Sequence, residues 1–504
     1  MSSIFGNRPL RARLAGAPLD ATFARYAVSA FVRQALNAPA LAELVFADPP
    51  AETLSGLALG AALAISVDGS GDLFEGEITA IEYEHDAAQG RTVRLRALDK
   101  LHRARLRQRA RTLTDLSAID LAGQLASELG LDFQSAEHAP TRALIVQHDQ
   151  NDFDLLVDLA RDAGLYLFLE AGGLKLISLA GEGDPIALKM RREIIEARAS
   201  AGADSLRPWT GTQSWDPSRA VAANARAGLA RQDAEELRDG GLTAFPDLGG
   251  RTLFNRLAAD AGEAESLAQA DLDRAVARAV LLEATVEGDV RLRPGRPVTI
   301  EGIGDLVDGR CVVTRALHRF DEARGYVVEI STEPPTRPDR ARTPAFTLGK
   351  VTDADDPDGL ARVRVKLPVV GDLETGWMAV LLLGAGADKG VAILPEPEDD
   401  VLVLFPDGDP ARGVVLGGLY GERIAPGRPG ARAAGARAFT VRTPGGQALT
   451  LDSVDAMARL QTRAGGLFEF SAGGSTLRAT GDLLIEAPGR KLTIRAASVA
   501  FEEG

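Results

Sequence analysis

The strongest pattern in the chain runs from LGKVTDADDPDGLARVRVKLPVVGD at residues 348–372 to GWMAVLLLGAGADKGVAILPEPEDDVLVLFPDGDPARGVVLGGLYG at residues 376–421. Apolar residues alternate with polar ones in two places, at Val363, Val365 and Leu367 and again at residues 401–405. Clusters of Gly, Pro and Asp, such as DDPDG and PDGDP, separate these runs. Period-two alternation between strong turn signals predicts short strands that close into a small β-barrel.

The order and spacing of these residues resemble the OB-fold domain of contractile-injection spike proteins. That family includes VgrG of type VI secretion and the spikes of contractile phage tails and of extracellular contractile particles. The matching positions are Asp356, Pro357, Gly359, Arg362, Val363, Val365, Gly376, Trp377, Gly390, Pro395, Asp400, Phe405, Gly408, Asp409, Pro410, Gly417 and Tyr420. The resemblance implies an OB-fold whose structural residues include Trp377, Pro395, Phe405, Gly408, Asp409 and Pro410.

The resemblance continues upstream into a pattern of the family's baseplate hub. One set of matching positions is Gln147, Asp152, Leu156, Gly164, Tyr166 and Glu170. A second set is Pro294, Gly295, Val298, Ile300, Gly302, Asp308, Gly309, Val313, His318, Gly325 and Tyr326. The likeness therefore covers most of the chain in the expected order, and it is weakest over residues 1–90 and 180–250.

Helix signals are confined to three places among many short β-like runs. Apolar spacing near 3.6 predicts a helix over 116–129 and another over 152–163, which Gly164 would end. A strand, a Gly-Gly turn and a strand follow as a predicted hairpin. The Ala-rich stretch 263–282 predicts a longer helix.

The last segment, from residue 438 to 504, consists of eight short strand-like runs separated mostly by Gly-containing turns. Most of the runs alternate in polarity, and the segment has no helix signal. One copy cannot bury enough apolar surface to fold alone, whereas three intertwined copies could face a common axis. The segment resembles the triple-stranded β-helix of the family's spikes, and intertwining would also remove exposed strand edges.

These patterns predict a mainly β fold with α+β insertions. The resemblance implies a hub of barrel-like domains, an OB-fold barrel and a C-terminal triple-stranded β-helix needle formed by a trimer. The expected boundaries are a hub β-barrel-like domain at 1–110, an inserted α+β region at 111–200, a second hub region with a long helix at 201–335, the OB-fold at 346–421, a linker at 422–437 and the needle at 438–504.

Composition excludes some classes of function. The 504 residues carry a net charge of −14, which disfavours nucleic-acid binding. The single cysteine, Cys311, lies in an apolar run and is expected to be a buried thiol without a disulfide. The first residues lack an apolar signal-peptide region, so synthesis in the bacterial cytoplasm is expected.

One basic run departs from the acidic average. Nine Lys or Arg residues lie between Arg91 and Arg111. They could form a patch for an anionic partner, but an exposed strand-to-helix edge or a subunit contact is the preferred interpretation.

No catalytic, cofactor or metal site is predicted. The five histidines lack metal-ligand spacing, and His318 is expected to be a buried, hydrogen-bonded residue or a subunit contact. The acidic run from Asp353 to Gly359 resembles a calcium loop only superficially, because Pro357 occupies a ligand position and Arg364 stands where a Glu is required. A solvated turn is the better interpretation of that run.

The resemblance implies a structural homotrimeric spike and hub rather than an enzyme. Two alternatives remain open at this stage, a tail-associated peptidoglycan hydrolase and an OB-type oligomer-binding module. The implied partners are a hexameric tube protein and baseplate components at the hub, the target cell membrane on firing, and a PAAR-type tip protein at the C-terminal end. The expected tip interface is Val499, Phe501, Glu502 and Glu503, and the parent is expected to be a phage tail-like particle, of the extracellular type in particular.

Overall fold

The structure, a computed structural model, describes residues 10–502 except for 20–24, 51–56, 68–69, 88–89, 233–244, 246, 255, 337–345, 422 and 424–437. The chain forms two compact units, Met1–Gly418 and Leu419–Gly504. The architecture is mainly β with a few helices, as the sequence predicts.

An eleven-stranded antiparallel sheet dominates the first unit. Its strands, in spatial order, are Ile194–Ala201, Val280–Glu287, Gly325–Ser331, Arg315–Asp321, Ala27–Ala35, Leu41–Ala47, Gly90–Leu98, Gly71–Asp86, Ala62–Val67, Leu10–Leu14 and Ala17–Pro18. Pairing of Ala27–Ala35 with Arg315–Asp321 joins two distant parts of the chain, with Val32 opposite His318. Strands from the beginning and from the end of residues 10–331 therefore form one sheet.

The sheet's core follows from its alternating side chains. In Leu41–Ala47, Leu44 and Phe46 are buried, and Val93 and Leu95 of the neighbouring strand are buried opposite them. Successive side chains in a strand point to opposite faces, so the residues between them reach the other face of the sheet. Burial of this one face is what fixes the register.

Smaller sheets accompany the large one. A two-stranded sheet consists of Arg111–Leu116 and Arg142–Gln147. Three three-stranded sheets consist of Asp132–Gln134, Tyr166–Glu170 and Gly173–Ile177; of Ile186–Lys189, Pro297–Glu301 and Gly309–Val312; and of Thr210–Asp216, Val221–Ala227 and Arg251–Leu253.

Two helices lie in the part of the sequence between the strands Gly90–Leu98 and Ile194–Ala201 of the large sheet. The Ala118–Leu129 helix begins at Ser117, whose hydroxyl and Asp120 form a capping box. The Asp152–Asp162 helix begins at Asn151, whose side chain accepts the backbone N–H of Asp154. Gly164 adopts a φ of +67°, a left-handed conformation that turns the chain into the Tyr166–Glu170 hairpin strand. Both helices and the hairpin match the sequence-based expectation.

The third helix is shorter than predicted. It spans Ala261–Ala277, and the chain then enters the Val280–Glu287 strand. The prediction ran to residue 282 because Ala-rich spacing suits a helix, but residues 280–282 pair with the edge strand Ile194–Ala201 in the large sheet. A short helix also spans His102–Arg105. No helix within the described residues is both long and apolar enough to cross a membrane.

The predicted barrel is present. Its sheet contains Phe346–Asp353, Asp400–Leu404, Val414–Leu419, Met378–Val380, Arg362–Leu367 and Leu373–Glu374. The first strand also pairs with Arg362–Leu367, which closes five strands into a barrel. Short 3₁₀ turns occur at Pro368–Val370, Pro406–Gly408 and Pro410–Arg412.

The second unit contains a five-stranded antiparallel meander. Its strands are Ala438–Arg442, Ala448–Asp452, Met457–Gln461, Leu467–Ser471 and Gly474–Arg478. These match the first five of the eight predicted runs. The last three runs, over 483–502, carry no strand in the single chain.

Candidate functional site

The barrel core consists of the residues whose alternation predicted it. Val363, Val365 and Leu367 are fully buried, and Val401 and Val403 face them from the strand on the other side of Phe346–Asp353. Phe405 is 1% exposed and is the large aromatic of this core. Phe405 is therefore a core residue of the barrel.

Trp377 has a different environment. It is only partly buried and lies outside the barrel core, and the guanidinium of Arg364 sits 4.9 Å from its ring centre. A partly buried Trp beneath an Arg is stabilised by a cation–π contact and by the burial of part of its ring. Pro395 is also only partly buried.

An ion pair between Asp356 and Arg362 closes the acidic loop, which resembles a calcium loop only superficially. Asp356 accepts two hydrogen bonds from the Arg362 guanidinium, at 2.9 and 2.7 Å, and both side chains are almost inaccessible to solvent. Asp356 also accepts the backbone N–H of Leu360 at 2.9 Å. The hydrogen bonds from Arg362 hold the pKa of Asp356 well below its usual range. The D-P-x-G-x-x-R spacing thus builds a charged clasp, and no His, Cys, Asp and Glu cluster within the described residues has metal-site geometry.

The turn formed by Gly408, Asp409 and Pro410 connects the barrel to the rest of the first unit. Gly408 has a φ of +65°, Asp409 accepts the backbone N–H of Ala411 at 3.0 Å, and Pro410 is buried. The next charged residue, Arg412, donates to Glu263 of the Ala261–Ala277 helix at 2.6 Å. The turn therefore places Arg412 beside a helix that lies more than a hundred residues earlier in the sequence.

Glu263 is the centre of a buried charge network. Its side chain is 4% exposed, and it meets Arg412 at 2.6 Å and Arg142 at 3.3 Å. It also accepts the backbone N–H of Ala259 at 2.7 Å. Arg142 donates to Asp162 at 2.9 Å, and although burial alone would raise the pKa of Asp162, the charge of Arg142 keeps it below its usual value. Sequence patterns did not indicate this network, because its members come from four separate segments.

The basic run carries its own counter-charges. Arg94 and Arg96 both lie beside Glu43 and Glu82 on neighbouring strands of the large sheet. Five further ion pairs join Arg103 to Glu77, Arg107 and Arg109 to Glu128, and Arg109 and Arg111 to Asp152. The positive charge of this run is therefore matched largely within the chain, which favours a structural role over an anionic-partner patch.

His318 and Cys311 occupy unlike positions. His318 is fully buried, with one ring nitrogen 2.9 Å from the Tyr326 hydroxyl and the other 3.0 Å from the Leu292 carbonyl oxygen. Burial lowers the pKa of His318 to about 3, so the ring is neutral at pH 7. Cys311 is only partly buried, in contrast to the expectation, although it lies opposite Val298 and packs against the apolar cluster that contains Val298 and Ile300.

The expected tip residues are solvent-exposed in the single chain. Val499 is 55% exposed, Phe501 is 95% exposed, and Glu502 is exposed as well. Glu503 lies outside the described residues. The structure thus leaves two apolar side chains uncovered at this end of the sequence.

Comparisons with known proteins agree with this architecture. The family model of the phage tail baseplate hub (GPD) matches residues 33–323, and the model of the type VI secretion system/phage-baseplate injector OB domain matches residues 347–420. None of the curated proteins compared matches the chain.

Solved structures share the fold at low sequence identity. The VgrG of a Francisella PdpA–VgrG complex, lidded, is 8% identical with a TM-score of 0.56, over 95% of this chain and 81% of that chain. An Escherichia coli type VI secretion component, the c3393 protein, is described as similar to bacteriophage T4 tail proteins gp27 and gp5; it is 14% identical with a TM-score of 0.52, over 81% of this chain and 99% of its own. The 43 kDa tail protein of prophage MuSo2 from Shewanella oneidensis is 13% identical with a TM-score of 0.50, over 64% and 98%.

The hub match alone spans more than half of the chain, and the OB-domain match begins where the closed barrel begins. Both family models describe structural parts of an injection apparatus. In the barrel, Asp356 and Arg362 form an ion pair, and Gly408, Asp409 and Pro410 form a turn. The chain belongs to the phage tail baseplate hub family and is a VgrG-like structural hub and spike of a contractile injection system.

Proposed function

We propose that the chain works as a homotrimer whose C-terminal segment is a membrane-puncturing needle and whose hub adapts the trimer to a hexameric tube and to the baseplate. The supporting observation is the meander of the second unit. Its register brings Leu449 opposite Leu460, Leu460 opposite Phe468 and Phe468 opposite Leu477. Side chains opposite one another share a face of the sheet, so these residues form one apolar face.

This apolar face is exposed in the part of the chain that the structure describes. Phe468 is 44% exposed, Leu460 is 52% exposed and Leu477 is 57% exposed. The opposite face is mostly polar, despite Met457 and Leu467, and carries the ion pair between Arg459 and Glu469. A contiguous exposed apolar surface of this kind requires a partner, and two further copies of the same sheet would supply it.

A matched pair of lysine substitutions tests the proposal. Phe468→Lys places a charge on the apolar face, and Thr476→Lys places the same charge on the polar face opposite Glu469. Sedimentation velocity of the full-length chains should show that Phe468→Lys lowers the trimer fraction, while Thr476→Lys retains the trimer. Equal trimer fractions in the two variants would contradict the proposal.

We propose a separate structural role for each segment of the chain. Residues 1–110 and 201–335 are proposed as the hub, with 111–200 as its α+β insertion and 346–421 as the barrel between hub and needle. Residues 422–437 are proposed as the linker and 438–504 as the needle. The large sheet supports a rigid hub, because antiparallel pairing joins strands of residues 1–110 to strands of residues 201–335.

We further propose a PAAR-type tip protein as the partner at the C-terminal end. Val499 and Phe501 are exposed apolar residues, and exposed strand edges of a needle end can pair with another chain. The expected interface also includes Glu502 and Glu503. Deletion of residues 498–504 should abolish capture of the tip protein in a pull-down. Undiminished capture by the truncated chain would refute this interface.

The proposed mechanism is mechanical, with no catalytic step and no nucleic-acid partner. Sheath contraction would drive the rigid needle against the target membrane. Zymography on peptidoglycan separates this from the hydrolase alternative, and cleared bands from the purified chain would overturn it. We propose assembly in the bacterial cytoplasm into a phage tail-like particle of the extracellular contractile type.

A further inference from the structure

A cavity of about 450 Å³ lies in the first unit between the Asp152–Asp162 helix, the Ala261–Ala277 helix and the Arg251–Leu253 strand. Its lining is unusually rich in guanidinium groups. The six arginines are Arg105, Arg161, Arg251, Arg256, Arg274 and Arg278. Among the described residues, the carboxylates that line the same cavity are Asp154, Asp162 and Asp271.

Two of these carboxylates are already engaged by other donors. Asp271 accepts hydrogen bonds from Arg207, Arg251 and Thr210, each at 3.1 Å. Asp162 accepts one from Arg142 at 2.9 Å. Neither Arg142 nor Arg207 lines the cavity, so part of the negative charge serves arginines outside it.

The arginines therefore repel one another across the cavity wall. Burial lowers the pKa of Arg207, and the positive charges of Arg251, Arg278 and Arg274 lower it further despite the neighbouring Asp271. A group of like charges around a concave surface creates a field that concentrates ions of the opposite sign.

A buried hydroxyl is a second, independent indication. Tyr166 lines the cavity and is only 2% exposed. Its hydroxyl has no partner with hydrogen-bond geometry within the described residues, although the Arg274 guanidinium lies beside it. A buried polar atom without a partner is costly, and a ligand that accepts a hydrogen bond from it would remove that cost.

We propose that this cavity binds a compact polyanion with at least two phosphate or carboxylate groups. Guanidinium groups recognise both oxyanions by paired hydrogen bonds, and the volume falls within the range of small-molecule sites. The Arg105 guanidinium lies over the Phe153 ring, 4.5 Å from its centre, and this cation–π contact helps to hold it in place. The ligand would bridge two helices of the hub, independently of the trimerisation proposed above.

Binding is tested on the full-length chain with sodium pyrophosphate and sodium citrate as probes. Isothermal titration calorimetry and thermal unfolding are run against sodium chloride at the same ionic strength. We expect saturable binding of one or both probes and a higher unfolding midpoint. The two arms distinguish a preference for phosphate from one for carboxylate.

Three variants locate the binding. Arg278→Gln should weaken probe binding roughly tenfold, the loss of one charge-assisted contact. The control Arg315→Gln removes an exposed arginine of the large sheet and should leave the affinity within about twofold. Tyr166→Phe should weaken binding with little change in the unfolding midpoint of the ligand-free protein, because its hydroxyl has no partner with hydrogen-bond geometry within the described residues.

Absence of saturable binding by both probes would overturn the proposal. So would an affinity that is the same in Arg278→Gln, Tyr166→Phe and the unaltered chain, since binding would then occur elsewhere. Neither result bears on the trimer, whose test is sedimentation, so the two proposals fail separately.

Discussion

Phe405 and Trp377 show how differently two aromatic residues of one barrel contribute to stability. Phe405 is 1% exposed within the core, whereas Trp377 is half-buried under Arg364. Phe405→Ala should therefore lower the free energy of unfolding by about 3–5 kcal/mol. Trp377→Ala should cost about 1–2 kcal/mol, the sum of partial burial and a cation–π contact.

Calorimetric or circular-dichroism unfolding of the two full-length variants measures this difference without depending on tryptophan fluorescence. An equal loss in both variants would show that Trp377 carries as much packing as the core phenylalanine. The sequence predicts a structural role for both residues and does not rank them, because the type of a side chain is visible in a sequence and its depth of burial is not.

His318 makes the stability of the hub depend on pH. Its pKa is about 3 in the fold and 6.5 in its ordinary state, so the unfolded chain binds a proton below pH 6.5 that the folded chain rejects. Stability from this residue is complete above pH 6.5 and falls as the pH drops toward 3. At pH 5 the loss amounts to roughly 2 kcal/mol.

Chemical denaturation at pH 7 and pH 5 checks this, with His318→Gln as the comparison. The variant should lose less stability between the two pH values than the unaltered chain. Asp99, whose burial raises its pKa to about 7, acts in the opposite direction but is present in both proteins, so it cancels in the difference. Identical pH dependence in the two proteins would mean that the folded His318 takes up protons freely.

At the scale of elements, the joint between barrel and long helix rests on Arg412 and Glu263. Both side chains are largely buried, and Glu263 also binds Arg142. Arg412→Met leaves a buried carboxylate with one guanidinium fewer, which should cost about 3 kcal/mol. Lys366→Met, which removes an exposed pair with Asp372, should cost less than about 1 kcal/mol.

Denaturant unfolding of the two variants gives these values, and limited proteolysis shows whether the barrel loosens. Equal stability losses in Arg412→Met and Lys366→Met would contradict a buried joint. Such a result would indicate that the barrel is held by its backbone connection and apolar contacts alone.

Elements with local signals were predictable from the sequence, and long-range pairings were not. Ser117, Asn151 and Gly164 mark helix ends through hydrogen bonds and backbone angles that depend on neighbouring residues. The end of the long helix was misplaced because residues 280–282 are drawn into a strand by partners elsewhere in the chain. Likewise, no local pattern indicates that Val32 lies opposite His318.

The charged groups followed the same division. The Asp356–Arg362 clasp lies within one loop, and its spacing was recognised from the sequence, although its role as an ion pair was not. The Glu263 network and the arginine-lined cavity bring together residues from distant segments. Their chemistry arises only when the sheet and the helices are assembled.

At the scale of the whole molecule, the two units differ in how they are stabilised. The first unit buries several apolar clusters of its own. The described residues of the second unit include none of the buried hydrophobic residues, and its strands expose Leu449, Phe468 and Phe470. A chain with one self-sufficient unit and one unit that needs further copies fits a spike in which association completes the fold.

Residues 483–502 extend this argument. They read as three strands by polarity alternation, yet they carry no strand in the single chain. Short segments with exposed apolar residues such as Ile494 gain hydrogen bonds and burial only from neighbouring strands. In the proposed needle those neighbours are the other two copies.

Native mass spectrometry of the full-length chain at low micromolar concentration tests the central claim most directly. We predict a single dominant species of three chains that persists on dilution, because each copy covers the apolar face of the others. A folded, stable monomer as the dominant species would contradict the account.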